Sequence, residues 1–162
     1  MAGWADVAVI VGGSAGALIG ALFVAVSIKI DIIGRSTELR NRAAQALVLF
    51  GAPLTVSVLL AVPDQPVVAL GGELVTVAVL AGTAALVLDR RAKRQPNGTT
   101  LGHLLQVATP NGVTVVLTGA AGVILLLGFP AGLFLLTLSL IASLIGGAVN
   151  AWLLLTRTTG EA

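Results

Sequence analysis

The chain contains no cysteine and a single histidine. Disulfides, thiolate catalysis and Cys-ligated metal or iron–sulfur centres are thereby excluded. Charge is scarce too, at 10% of residues, where a soluble domain carries about 25%. A water-facing surface cannot be built from so little. Basic residues are missing altogether from two connections, around Asp64 and around Phe129-Pro130. Reactive groupings are missing as well. His103 has no carboxylate within four residues, and a zinc-type site needs several ligands on one face. Gly12-Gly13-Ser14-Ala15-Gly16 lacks the Lys-Ser/Thr sequel of a phosphate loop. Ser14, Ser27, Ser57, Ser139 and Ser143 have no intramembrane His or Lys partner, so a serine-protease dyad is not visible. The sequence therefore predicts no catalytic, cofactor or metal site, and no enzyme.

What the chain does have is apolar length. It is 57% hydrophobic, with a mean hydropathy of +1.05. Its nine Lys and Arg fall in three clusters: Lys29, Arg35, Arg40 and Arg42; then Arg90, Arg91, Lys93 and Arg94; then Arg157. Cytoplasmic loops of membrane proteins are enriched in Lys and Arg. The alternation predicts an all-α polytopic bundle of five transmembrane helices, N-terminus outside and C-terminus cytoplasmic. The predicted spans are 4–30, 43–62, 67–88, 110–128 and 131–156, within one domain, 1–162. Residues 112–155 form one apolar block, which as a single helix would exceed ~60 Å, twice the hydrocarbon thickness. It is expected to break at Gly128–Pro130. Lys29 follows the first apolar run instead of preceding it, which favours an uncleaved first helix. Heavy use of Ala, Gly, Val and Leu suggests a bacterium and hence its plasma membrane. The basic clusters then attract anionic headgroups, not nucleic acid.

Local signals punctuate the spans. Ser36 or Thr37 can cap the second helix, and Glu38 and Arg42 stand four apart, the spacing of a helical pair. Asp31 is a second candidate partner for Arg42, across the first connection. Pro53 lacks an N–H, so a kink is expected near Phe50. In Val62-Pro63-Asp64-Gln65-Pro66, Asp64 or Gln65 is expected to cap, with Pro66 in the first helical position. Residues 101–107, with His103 among them, are read as a short interfacial helix.

Two kinds of residue are candidates for function. The first is small. Gly12, Gly16 and Gly20, following Ala8, lie four apart with Gly13, Ala17, Ala21 and Ala25 beside them; Ser139, Ser143 and Gly147 repeat this later. Spacing of four shares one helical face, and small residues let helices approach closely in lipid. These stripes pack against helices of the same chain or meet a homo-oligomeric or other membrane-protein partner. The second kind is polar. Glu73 is the one ionisable residue well inside a span, with no Lys or Arg on its side of the membrane. An intramembrane carboxylate is protonated, hydrogen-bonded, or part of an ion or proton path. Asn150, close in depth to Gln45 and Trp152, is expected to hydrogen-bond between helices.

Three stretches carry a resemblance: Leu22-Phe23-Val24-Ala25-Val26-Ser27-Ile28, Arg42-Ala43-Ala44-Gln45-Ala46-Leu47 and Asn150-Ala151-Trp152-Leu153-Leu154-Leu155. Together they resemble small multi-pass membrane proteins, largely actinobacterial, some labelled modulators of a membrane-bound AAA protease. The resemblance implies a multi-pass topology and transfers no catalytic residue. Two functions are thus expected to compete. One is a structural or accessory membrane subunit assembled through Gly/Ala-rich faces. The other is a small oligomeric ion channel or proton-coupled carrier using Glu73.

Overall fold

The computed structural model describes residues 2–92 and 110–157, and among these all regular structure is helical. The chain forms α1 (Ala2–Ile28), α2 (Ile30–Arg35), α3 (Thr37–Leu60), α4 (Val67–Ala92), α5 (Pro110–Leu126) and α6 (Gly132–Arg157). Four of them, α1, α3, α4 and α6, are long and apolar enough to cross a membrane, whereas α5 is shorter. Lys93, Arg94, the 101–107 segment with His103, and Thr109 lie outside the described residues.

The helix boundaries follow local chemistry. Ser36 stands at the N-cap of α3, where its hydroxyl accepts the Leu39 N–H at 3.3 Å, a contact worth about 1 kcal/mol. One turn on, the Arg42 guanidinium donates to Glu38 Oε1 at 3.1 Å, worth roughly 0.3–0.5 kcal/mol at an exposed i,i+4 site. Arg42 is therefore committed within its own helix, and the pairing with Asp31 does not form. The first connection is itself mostly helical: α2 folds back so that Ile33 is buried beside Leu22 and Leu39.

The break at 128–130 is a specific helix stop. Gly128 has φ +83°, its N–H bonds to Leu125 O at 2.9 Å, and Phe129 N–H reaches Ile124 O at 3.1 Å. This pair of bonds closes the α5 carbonyls in the manner of a Schellman cap, which favours glycine at the left-handed position. In the α3–α4 turn Asp64 takes φ 55°, a conformation Asp tolerates better than most residues. Pro66 accepts the Leu70 N–H and precedes the first helical residue, Val67. Gln65 does not cap; its side chain is used elsewhere.

Packing is sequential and antiparallel. α4 lies along α5, α5 along α6, and α3 touches α1, α4 and α6, leaving α1 at the periphery. The bundle thus has a turn end, at the α3–α4 and α5–α6 connections, and a basic end, at the start of α3. At the turn end Val56, Leu70, Leu74, Ala121, Leu125, Leu133, Leu136 and Leu140 form an apolar core, with Trp4 packed against it. The Trp4 ring meets Phe134 edge-on at 5.9 Å. At the basic end Leu22, Ile33, Leu39, Ala46, Phe50 and Leu154 form the second core. The outward faces are apolar as well: Ile10, Val24, Val79, Val116, Phe134 and Ile145 are all more than half exposed. Outward-facing threonines close on their own helices, Thr55 to Gly51 O and Thr76 to Gly72 O. Such hydroxyls need no solvent partner, which is what a lipid-facing surface requires.

Candidate functional site

The closest helix contacts are made by glycines. A Cβ on Gly71 would stand 2.6 Å from Leu126 N and 2.8 Å from Gly122 O; one on Gly122 would stand 2.9 Å from Gly71 O. Backbone meets backbone there, joining α4 to α5. At the next interface a Cβ on Gly132 would lie 2.7 Å from Ala121 O. Gly71, Gly122 and Gly132 do not belong to the stripes read from spacing. The signal for Gly71 and Gly122 is weaker, paired or near-paired glycines in α4 and α5, and Gly132 stands alone at the start of α6.

Each predicted stripe divides or resolves differently. On α6, Ser139 donates to Thr114 O at 3.0 Å. Its single proton being so used, Thr118 must be the donor in the 2.7 Å contact between Thr118 Oγ1 and Ser139 Oγ. Gly147 lies against the Phe50 ring. Ser143 donates to Leu49 O at 2.6 Å. Leu49 is the residue four before Pro53, so its carbonyl has lost the helical N–H that proline cannot supply. A hydroxyl from α6 replaces it. α3 continues as a helix through Pro53.

The α1 stripe faces two ways. Gly12 meets α3, where a Cβ would stand 2.6 Å from Ser57 Oγ. Gly13, Gly16 and Gly20 have nothing within 4 Å of a built Cβ. They are exposed with Ala17 and Ala21, while Ala8, Ala15 and Leu22 form the buried line of the helix.

Glu73 sits seven residues past Pro66 and is half-buried. Its Oε2 accepts a hydrogen bond from Gln65 Nε2 at 2.5 Å. The carboxylate thus ties the α3–α4 turn to α4 through a neutral amide. Gln65 serves this carboxylate instead of capping α4. The apolar core of Leu74, Leu125, Leu136 and Leu140 lies inward of Glu73 at this end of the bundle.

Gln45 and Asn150 are both half-buried. The antiparallel register set by the Leu49–Ser143 and Phe50–Gly147 contacts brings them to one depth. Asn150 makes no side-chain hydrogen bond with another described residue. Two other asparagines hold buried atoms without a hydrogen-bond partner: Asn41 Nδ2 and Asn111 Oδ1. Among the described residues no cluster of His, Cys, Asp and Glu could hold a metal ion.

No family model matches the chain, and neither a curated protein nor a solved structure shows significant similarity to it.

Proposed function

We propose that this chain is a non-enzymatic integral membrane protein, a structural or accessory subunit that assembles with a second copy or another membrane protein through α1. The observation that carries the reading is the outward glycine face of Gly13, Gly16 and Gly20. Elsewhere in the bundle Gly12, Gly71, Gly122, Gly132 and Gly147 are each filled by a neighbouring helix. The α1 face offers the same close approach with no neighbour among the described residues, and in lipid such faces associate by packing.

On this reading the chain spans a bacterial plasma membrane five times, α5 included, with the basic end in the cytoplasm. The Lys and Arg clusters support that direction. Glu73 is a structural clamp: its bond from Gln65 and the apolar core beside it weigh against transport through a single copy.

Assembly mass in a lipid nanodisc tests the reading. The wild-type chain is expected to run as a discrete oligomer or complex. Gly16→Leu with Gly20→Leu should reduce it to a monomer of unchanged melting temperature, since both positions are open. A wild-type monomer without partners, or assembly indifferent to the two substitutions, would refute it.

A further inference from the structure

A small void lies near the basic end where α3, α4, α5 and α6 converge, lined by Leu49, Ala52, Ala81, Ala85, Asn111 and Ser143 among others. Its volume is about 10 Å³, room for one water molecule. Most of its wall is aliphatic, and an apolar void of that size would stay dry. This one is not wholly apolar.

Asn111 is only 5% exposed, and its Oδ1 is buried with no hydrogen-bond partner. An unpaired buried amide oxygen is costly, and native structures rarely leave one so. Of the other polar residues on the wall, Thr114 is already engaged, while Ser143 and Leu49 offer acceptors with capacity left. Ser143 has given its one proton to Leu49 O, so its oxygen can only accept. Leu49 O retains a second lone pair. Three acceptors therefore belong to residues around one void, and a water molecule brings two hydrogens to them.

We infer that this void is a binding site for a single internal water, held by Asn111 Oδ1 and by Ser143 Oγ or Leu49 O. The site exists because of Pro53. The proline strips Leu49 O of its helical donor, Ser143 is drawn in to replace it, and the water completes the coordination that neither supplies. It is independent of any assembly through α1.

Water-edited solid-state NMR on the full chain in phospholipid bilayers tests this, with asparagine and leucine labelled. Magnetisation from water should reach the Asn111 side-chain amide several-fold faster than it reaches the dry core residues Leu136 and Leu140. The signal should vanish in Asn111→Leu, which serves to assign it. Transfer to Asn111 as slow as to Leu136 would overturn the inference. So would a direct Asn111–Ser143 hydrogen bond in the same spectra, or displacement of the water signal by added sodium, which would make this a cation site.

Discussion

Ser143 acts on a backbone defect in another helix, 94 residues away in sequence. Removing it with Ser143→Ala strands the Leu49 carbonyl, at an expected cost of about 1 kcal/mol, in line with single interhelical hydrogen bonds in membranes. Pro53→Ala would restore a backbone N–H to that carbonyl. In the Pro53→Ala background the Ser143→Ala cost should therefore shrink toward zero. A double-mutant cycle by denaturation in mixed micelles measures the coupling; equal costs in both backgrounds would show that the hydroxyl does not compensate for the proline. The kink-prone proline was legible from the sequence, and so was the small-residue stripe containing Ser143. That one repairs the other was not, because it depends on the α3–α6 register. The same limit hid the Glu73 partner. Gln65 reaches Glu73 only once the turn has folded back onto α4.

Helix pairs are held at very different distances. α4 and α5 touch through the backbone at Gly71 and Gly122, whereas α1 lies against α3 mainly through side chains and Gly12. A methyl group at Gly122 would meet Gly71 O at 2.9 Å and Val75 N at 3.0 Å, neither of which can yield without moving a helix. Gly122→Ala should therefore destabilise the bundle by about 1–3 kcal/mol, the range for overpacked sites. Gly51→Ala, with open space around it, should be neutral or slightly stabilising. Paired thermal denaturation separates the two, and equal melting temperatures would contradict the α4–α5 contact. Element ends were the most readable part of the chain. Ser36 and Gly128-Phe129-Pro130 act within four or five residues, so their chemistry is complete in the local sequence. Facing directions were less readable. A spacing of four defines a stripe on α1 but not which neighbour it meets, and the structure turns Gly12 inward while Gly16 and Gly20 look out.

As a whole the molecule resembles an ordinary bundle with its exterior made apolar, and the proposed orientation rests on the distribution of its charge. Because the chain has no native cysteine, single introduced thiols report sidedness cleanly. Thr37→Cys at the basic end should react with an impermeant maleimide only after the inner face of the membrane is opened. Asp64→Cys in the α3–α4 turn should react from outside in intact cells. The reverse pattern, or both from one side, would overturn the proposed topology. The low charge and the basic clusters made the membrane reading available from composition, since these are sums over the chain and need no register.

The length of α5 has an effect outside the protein. Seventeen residues make a rod of about 26 Å, against about 33 Å for Val67–Leu88, the 22-residue apolar part of α4 beside it. A hydrocarbon layer is about 30 Å thick. If α5 crosses the membrane as proposed, lipids bordering it meet a shorter apolar wall than lipids bordering α4, and tilting cannot serve both helices at once because the Gly71–Gly122 contact holds them together. On the proposed five-span reading the bilayer dimples on one flank of the bundle. Each ångström of such mismatch costs a fraction of a kcal/mol, enough to collect shorter-chain lipids there and to attract any neighbour whose own span is equally brief.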